Sequence, residues 1–433
     1  MPRIGYEGFV NTRHKPAKSD LLCSFYMEPA QGVSPKAAAG AVAGESSVGT
    51  WTPVAGLRLS TAERIAATCY DIRKSQDGYW IKVSYPLDNF EIGSIPQIFS
   101  SIAGNIFGMK AVRNLRLEDV KFPEKMAKSF MGPQFGTKGI RKILGIKDRP
   151  ITISVPKPVG MTTSEHVKIA HEIWHGGVDL INDDESLTNQ PYNRFDRRVI
   201  QSLKVRDRVE KETGEKKSYL TNITAPYNEM VRRAKLVAAL GGEYAMVDIC
   251  TVGWSALQAI REICDDLCLA IHAHRAFHAA FTRNHKHGMS MLTVAKAARL
   301  AGVDQIHIGT VVGKLESPAE EVTEIHAQIS QDKLKPNAKY RHLGQEWHRL
   351  KNVLSVCSGG LHPGLLPKLM SIVGNDIGIQ CGGGIHGHPG GSRKGAMAVR
   401  QAIDAAMEGT PLPDYARNHK ELAEALKLWG YLK

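Results

Sequence analysis

Beyond about residue 150, short β-rich apolar runs alternate with segments that are apolar on one helical face. Thr162–His175 is typical of the second kind, because it opens with a Thr-x-x-Glu capping-box pattern and places Val167 and Ile173 on one face. The stretches Met230–Leu240 and Ala256–Leu267 have the same helical pattern. The apolar runs, each predicted to contain a strand, are Ile151–Pro158, Val178–Asp184, Lys217–Thr224, Tyr244–Ile249, Leu269–Arg275, Gln305–Thr310, Val353–Gly360 and Asp376–Gly383.

Near-continuous apolar strands that alternate with helices indicate a parallel sheet covered by helices on both faces. Eight such units over about 280 residues fit a (β/α)8 TIM barrel, whose usual size is about 250 residues. We therefore predict an α/β fold with a C-terminal barrel over residues 136–433, ending in a helix over 414–433.

The first 135 residues have a different pattern, which predicts a small α+β domain with an antiparallel sheet. A linker is expected near Phe130–Thr137, where glycine and proline cluster. The predicted strands are Leu21–Met27 and Trp80–Tyr85, and the predicted helices are Ser34–Ala43, Ser60–Tyr70 and Pro96–Phe107.

Composition agrees with a two-domain protein, because 433 residues are too many for one ordinary core. No window has the roughly 18 uninterrupted apolar residues of a membrane span, and the N-terminus lacks the apolar core of a signal peptide. The seven cysteines are scattered and odd in number, which argues against a disulfide framework. We expect a cytoplasmic protein without a membrane partner.

The net charge of +13 raises the question of nucleic-acid binding. Lysine and arginine are spread along the chain, however, with acids interleaved as in Lys204–Lys217, and no basic run carries interleaved aromatic residues. This pattern favours a solvated basic surface, or attraction of an anionic substrate, over a nucleic-acid partner.

Three consecutive acids follow the second predicted barrel strand. Asp183, Asp184 and Glu185 come directly after the apolar run of Gly176–Asn182, and carboxylates beside a core are costly unless they are neutralised. Mg2+ would neutralise them, because it takes oxygen ligands and usually only one or two protein carboxylates. The alternative is an acidic first turn of a helix, where carboxylates complement the helix dipole.

Two lysines occupy positions where the chemistry of a barrel is expected, at the carboxyl ends of the strands. Lys157 ends the first strand and is a candidate acid or base if burial lowers its pKa; the alternative is a surface lysine. Lys314 follows the sixth strand on a glycine-bounded loop that is able to close over a ligand.

Histidines end the fifth and sixth strands. His272 and His274 alternate and so share one face, but no third nitrogen or sulfur ligand with zinc spacing accompanies them. Arg275 favours phosphate binding. His307 is a candidate site residue, with a satisfied core histidine as the alternative.

Glycine clusters end the last two strands, in Ser358-Gly-Gly360 and Cys381-Gly-Gly-Gly384. Glycine lets backbone N–H groups approach an anion closely, and phosphate sites in these barrels often follow strands seven and eight. Together with Mg2+ and the two lysines, these loops predict a site that enolises a phosphorylated sugar.

Ordered motifs along nearly the whole chain resemble the RuBisCO large-subunit family. The run Ser101–Glu124 is most similar to the archaeal-type forms. The matching segments are Glu45-Ser-Ser-Val-Gly-Thr-Trp-Thr52, Ile102–Gly108, Leu115–Asp119, His272–His278, His307–Glu316, Ser358–His362 and Gly382–Pro389.

The resemblance implies a ferredoxin-like N-terminal domain followed by the barrel, in a homodimer with active sites shared between subunits and assembling further into oligomers of dimers. It also implies a carbon–carbon lyase that uses Mg2+ to carboxylate ribulose 1,5-bisphosphate with CO2, giving 3-phosphoglycerate. By the resemblance, the partner subunit's site receives Glu45, Thr50, Trp51 and Asn105.

The remaining roles that the resemblance implies belong to the barrel. Asp184 and Glu185 match metal ligands, Lys314 matches the lysine that steadies CO2, and Lys157 matches a lysine that acts on the enediol. The residues that match site or sugar-phosphate contacts are His274, Arg275, His307, Ser358, Gly359, Gly360, Gly382 and Gly383.

Two departures affect proton transfer. The family has a lysine before Asp-Asp-Glu whose carbamate binds the metal and acts as the base, and Asn182 stands there, offering only a neutral amide oxygen. The strand-one motif, Lys157-Pro-Val-Gly160, is one residue shorter than the family's and lacks its second lysine. We hypothesise that His274 or Asp183 replaces the base.

Two alternatives to the carboxylase follow from these departures. One is a RuBisCO-like enolase, isomerase or decarboxylase that acts on another sugar phosphate. The other is a non-catalytic sugar-phosphate binder.

Overall fold

The computed structural model describes residues 5–50, 60–313, 319–337 and 342–432, which divide into two units. One unit comprises Met1–Met131, Phe277–Leu300 and Gln331–Leu350, and the other comprises Gly132–Ala276, Ala301–Ser330 and Lys351–Lys433. Two segments that were predicted to belong to the barrel domain thus fall in the first unit, and a boundary between residues 135 and 136 stays a prediction. Within the described ranges, no helix is long and apolar enough to cross a membrane.

The strands of the described residues are β1 Leu21–Pro29, β2 Thr68–Lys74, β3 Tyr79–Tyr85, β4 Val112–Lys121, β5 Ile151–Ser154, β6 Leu180–Asn182, β7 Ser218–Asn222, β8 Tyr244–Asp248, β9 Ala270–His274, β10 Gly288–Met289, β11 Gln305–Gly309, β12 Lys333–Leu334, β13 Gln345–Glu346, β14 Leu354–Ser358 and β15 Ile377–Gln380.

The α-helices are α1 Pro35–Glu45, α2 Ser60–Ile65, α3 Ile95–Ile102, α4 Glu124–Ala127, α5 Gly136–Leu144, α6 Thr163–His175, α7 Phe195–Thr213, α8 Tyr227–Ala239, α9 Ile249–Asp266, α10 Ala279–Thr282, α11 Met291–Ala301, α12 Ala319–Ser330, α13 Leu366–Val373, α14 Gly383–His386, α15 Ser392–Glu408, α16 Leu412–Tyr415 and α17 Lys420–Trp429. Short 3-10 helices cover Tyr6–Phe9, Leu87–Asn89, Asn105–Gly108 and Pro363–Leu365.

The first unit is built on a sheet in the order β10-β4-β1-β3-β2, with antiparallel pairing of β1 to both β3 and β4. With α1 after β1 and α3 before β4, this is the predicted ferredoxin-like arrangement, extended by the two-residue strand β10, which pairs in parallel with β4. The sequence prediction missed β4 altogether.

The predicted helix Ser60–Tyr70 is wrong beyond Ile65. Its last three residues, beginning at Thr68, open strand β2, which pairs antiparallel with β3 so that Ile72 faces Ile81. Thr68, Tyr70 and Ile72 are β-branched or aromatic, and such side chains fit a pleated, half-buried surface better than a helix.

The second unit contains a closed barrel of eight parallel strands in the order β5-β6-β7-β8-β9-β11-β14-β15, so the predicted barrel is confirmed. Each of the eight apolar runs contains one barrel strand. Helix α5 contributes Ile140 and Leu144 to the same buried cluster as Ile151, Tyr244 and Leu354, which lie at the beginnings of their strands. Because α5 fills the amino-terminal end, the carboxyl ends of the strands are left to form a site.

The capping box predicted for α6 is present. The Thr162 hydroxyl accepts a hydrogen bond from the Glu165 backbone N–H at 3.4 Å, and the Glu165 carboxylate accepts one from the Thr162 N–H at 2.8 Å. These reciprocal bonds satisfy two N–H groups that a helix otherwise leaves open, and they fix where α6 begins after the β5 loop.

Candidate active site

The three consecutive acids after β6 have different surroundings, and the first of them, Asp183, is held by structural contacts. Asp183 is fully buried, and its carboxylate accepts hydrogen bonds from the backbone N–H of Asn222 at 3.0 Å and from the Tyr219 hydroxyl. It also pairs with the buried guanidinium of Arg198, with 3.0 Å between Nε and Oδ1. Because these structural partners occupy the buried carboxylate, the geometry argues against the hypothesis that Asp183 is the base.

Asp184 turns toward the end of the first strand. Its Oδ1 accepts a hydrogen bond from the Ser186 backbone N–H at 3.0 Å, and its Oδ2 pairs with the Lys157 ammonium group. Burial opposes ionisation of Asp184, but the bonds from Lys157 and Ser186 outweigh it and hold the pKa of the carboxyl below its usual value. The carboxylate is therefore charged at neutral pH, and its counter-ion is Lys157.

Asn222, at the end of β7, fixes this acidic loop. Its side-chain Nδ2 donates to the backbone carbonyls of Asp184 and Glu185, at 3.2 and 3.1 Å. Sequence reasoning did not single out Asn222, because the only available signal was a polar residue at the carboxyl end of a predicted strand.

Asn182 ends β6 with only 2% of its surface exposed, and its Oδ1 has no hydrogen-bond partner in the part of the chain that the structure describes. A buried carbonyl oxygen without a donor costs about 1–3 kcal/mol. A hard cation would satisfy that oxygen together with the carboxylates of Asp184 and Glu185, so the oxygen donors fit Mg2+. Among the described residues, no group of three or more His, Cys, Asp or Glu side chains is arranged to hold a metal ion.

His274 lies between two carboxylates. Its Nε2 is 3.8 Å from the Glu185 carboxylate, and its Nδ1 is 3.3 Å from that of Asp248. The Ala276 backbone N–H also donates to Nδ1, at 3.1 Å. One carboxylate thus lies beside each ring nitrogen of His274. Asp248, at the end of β8, was not predicted.

His307 is part of a hydrogen-bonded chain that crosses three strands. Its Nδ1 is 2.9 Å from the Ser358 Oγ, and its Nε2 is 3.0 Å from Nε2 of His272, whose Nδ1 is 3.0 Å from Nε2 of Gln305. Burial lowers the pKa of His272 to about 3 and that of His307 well below its usual value, and neighbouring histidines add to both shifts. Both rings are neutral at physiological pH.

The loops after β11 and β14 approach each other closely. A Cβ atom on Gly313 would lie 2.6 Å from the carbonyl oxygen of Gly359, and Gly313, Gly359 and Gly360 have φ angles of 116°, 124° and 71°. Only glycine adopts these angles readily, so glycine is required at these three positions for the two loops to follow this backbone path. Of the other predicted phosphate contacts, Gly382 caps the short helix α14, which begins at Gly383.

Arg275 follows β9. Burial lowers the pKa of its guanidinium to about 10, which leaves it charged at neutral pH, with its charge favoured by Glu321. A desolvated arginine at a strand end suits a phosphate group.

Four of the predicted site residues, Glu45, Thr50, Trp51 and Asn105, precede the barrel strands in the sequence. Glu45 ends α1, and its Oε1 accepts a 2.8 Å hydrogen bond from Tyr6, whose pKa burial and this carboxylate raise to about 12. Thr50 is partly buried, and Asn105 is exposed at the start of its 3-10 helix. Trp51 and Lys314 lie outside the described residues.

Comparison with known proteins identifies the family. Residues 136–429 match the model of the ribulose bisphosphate carboxylase large chain, catalytic domain, and residues 8–126 match that of its N-terminal domain. The chain is 52% identical to the ribulose bisphosphate carboxylase of Pyrococcus abyssi, over 99% of this chain and 97% of that one. The identity to the Methanocaldococcus jannaschii protein of the same name is 46%, over 97% and 99%.

Solved structures agree. A dimeric archaeal Rubisco from Hyperthermus butylicus superimposes with a TM-score of 0.94 at 50% identity, covering 99% of this chain and 100% of that one. An octameric ribulose-1,5-bisphosphate carboxylase/oxygenase from Pyrococcus horikoshii gives 0.91 at 50% identity, covering 98% and 97%. The resemblance in the motifs is thereby confirmed, and the chain belongs to the ribulose bisphosphate carboxylase large-chain family.

Proposed function

We propose that this enzyme enolises ribulose 1,5-bisphosphate with the help of Mg2+ and carboxylates the enediol to 3-phosphoglycerate. The observation that carries the proposal is the array at the carboxyl ends of the strands, where the acidic loop, His274 between two carboxylates, and the His307–Ser358 pair come together. The archaeal relatives at 45–52% identity are named ribulose bisphosphate carboxylase, which supports the same substrate.

The metal would be held by Asp184, Glu185 and the orphaned amide oxygen of Asn182. Mg2+ would supply polarisation of the substrate carbonyl and stabilisation of the enediolate. The two carboxylate ligands carry a total charge of −2. A ligand set with a carbamylated lysine in place of Asn182 would carry one more negative charge. We therefore expect weaker metal binding than such a set would provide.

His274 is the proposed base. Asn182 is neutral and Asp183 is locked by Arg198, whereas His274 is half-buried and flanked by Asp248 and Glu185. It would take the C3 proton of the substrate at Nδ1, the nitrogen that carries no hydrogen, in exchange for the bond from the Ala276 N–H, and the two flanking carboxylates would stabilise the resulting cation.

We also propose binding of the two phosphate groups by Arg275 and the glycine loops, with Gly359, Gly360, Gly382 and Gly383 presenting backbone N–H groups. By the family resemblance, Lys314 steadies CO2. Glu45, Thr50, Trp51 and Asn105 complete the site of the partner subunit in a homodimer, a state supported by the dimeric relative. The seven free thiols support a reducing cytoplasm.

The function is tested by incubating the protein with ribulose 1,5-bisphosphate, Mg2+ and labelled bicarbonate, and scoring acid-stable label in 3-phosphoglycerate. We expect incorporation above that of a Lys314→Ala control. Exchange of the C3 hydrogen with solvent without incorporation would instead indicate an enolase or isomerase. Binding of a bisphosphate analogue with neither reaction would indicate a non-catalytic binder.

A separate prediction concerns Lys157. Because its ammonium group pairs with Asp184, it competes with a cation for that carboxylate. Lys157→Met should tighten Mg2+ binding about fivefold or more, since a unit charge near the metal contributes on the order of 1 kcal/mol even in a high dielectric. Isothermal titration with Mg2+ measures this directly.

The matched control is Lys168→Met, which removes the same charge from an exposed position on α6. Its Mg2+ affinity should stay at the wild-type value. Equal or weaker Mg2+ binding by Lys157→Met would show that the ammonium group does not oppose the metal.

A further inference from the structure

Four side chains from neighbouring strands form an unbroken hydrogen-bonded chain that ends at the candidate active site. Gln305 and His307 lie on β11, His272 on β9 and Ser358 at the end of β14, and the successive contacts are 3.0, 3.0 and 2.9 Å. Gln305, His272 and His307 are buried, whereas Ser358 is partly exposed. The chain therefore runs from the barrel interior to the site.

The direction of the chain follows from the number of hydrogens available. The two rings are neutral, so each carries one N–H. Nε2 of Gln305 is a donor and occupies Nδ1 of His272, which leaves the hydrogen of His272 on its Nε2. That hydrogen points at Nε2 of His307, so the hydrogen of His307 must lie on Nδ1.

Ser358 receives the last bond of the chain. Because Nδ1–H of His307 donates to the Ser358 Oγ, the hydroxyl hydrogen of Ser358 cannot point back at the ring. It is left to point away from His307, toward a ligand in the site. These roles are assigned from the hydrogen-bonding partners, as tautomers are in any structure without visible hydrogens.

The direction depends on one amide. If the Gln305 side chain were reversed, its Oε1 would accept from Nδ1–H of His272, and every hydrogen in the chain would shift. Ser358 would then donate to His307 and offer only lone pairs to the site. The direction given above is that of the amide as the structure orients it, with Nε2 on Nδ1 of His272 and with Oε1 buried and without a hydrogen-bond partner among the described residues.

We propose that Gln305 and His272 are positioning residues that fix the tautomer of His307 and so hold the Ser358 hydroxyl as a hydrogen-bond donor to an anionic oxygen of the substrate. The inference rests on the proposed function for the identity of that oxygen, but not for the direction of the chain. A neutral chain orients the donor without adding positive charge beside the metal site. A donor that is already aimed needs no reorganisation when negative charge develops.

The direct test is a neutron crystal structure of the full-length protein without substrate, in which deuterium positions are visible. We expect deuterium on Nε2 of His272 and on Nδ1 of His307. Deuterium on Nε2 of His307, or on both nitrogens of either ring, would overturn the proposal. This readout needs no activity, so its failure is distinct from failure of the proposed carboxylase function.

Two substitutions of Gln305 test the consequence. Gln305→Met removes the donor at similar volume, and Gln305→Glu replaces the amide by a group that, when ionised, only accepts and therefore favours the reversed chain. Both should lower kcat about tenfold with KM changed less than about twofold, because the aimed donor acts on developing charge. In Gln305→Glu, the neutron structure should also show deuterium on Nδ1 of His272.

The matched control is Ser355→Ala. Ser355 lies on β14, like Ser358, and its Oγ makes a second histidine–serine hydrogen bond, at 2.9 Å from Nδ1 of His326, which the substitution removes. It should keep wild-type kcat and KM. Wild-type kinetics in both Gln305 variants, or an equal loss in Ser355→Ala, would reduce the chain to ordinary barrel packing and refute the positioning role.

Discussion

Replacing His274 with alanine is expected to slow exchange of the substrate C3 hydrogen with solvent by about 10²–10⁴-fold, the usual contribution of a positioned general base. The imidazole lies between Asp248 and Glu185, and the fully buried Asp183 cannot take over its role. The measurement is loss of tritium from C3-labelled ribulose 1,5-bisphosphate in the presence of Mg2+.

Two further variants separate proton transfer from packing. His274→Gln keeps a polar side chain of comparable reach but cannot act as a base, so it should lose nearly as much activity as the alanine variant. Asp248→Asn leaves the imidazole in place and removes one of the two stabilising charges, so its loss should be smaller. Exchange at the wild-type rate in His274→Ala would assign the base to another group.

The second large effect concerns stability. Arg198→Met should destabilise the protein by about 3–5 kcal/mol, because it leaves the carboxylate of Asp183 buried without its counter-charge. Both members of this pair are fully buried, and Arg198 also donates to the backbone carbonyls of Asn193 and Thr188, at 2.8 Å each. Urea denaturation followed by circular dichroism measures the change in the free energy of unfolding.

A double-mutant cycle supplies the control. Asp183→Asn combined with Arg198→Met removes both charges, so the double variant should be more stable than Arg198→Met alone. A double variant as unstable as the sum of the two single variants would mean that the pair contributes packing rather than electrostatic compensation.

The barrel was predictable because its signal is local. Each strand is a short apolar run such as Tyr244–Asp248. The helices are predicted by their apolar periodicity and by N-cap residues, such as Thr162 for α6. Strands β2 and β4 were less predictable, because their side chains alternate only partly between buried and exposed positions. The pairing that makes them strands lies in distant parts of the chain.

The candidate site was predictable where a residue type and a strand end coincide, as for Asp184, His274 and Ser358. It was not predictable where the role depends on a neighbour from another strand. Asn222 and Gln305 matter only because they face a backbone carbonyl pair and a histidine ring, respectively. Likewise, the different environments of Asp183 and Asp184 follow from Arg198 and Lys157, which lie 15 and 27 residues away in sequence.

The adjacent positions of Asp183 and Asp184 bear on how such an enzyme can diversify. The buried acid anchors the loop through Arg198, Tyr219 and Asn222, whereas Asp184 pairs with Lys157 and Glu185 lies beside His274. Under the proposed function, substitutions at Asn182, Asp184 or Glu185 would alter metal chemistry without loosening the anchor. Enzymes that share this loop can therefore acquire different reactions by substitution beside Asp183, while the buried contacts of Asp183 keep the loop in place.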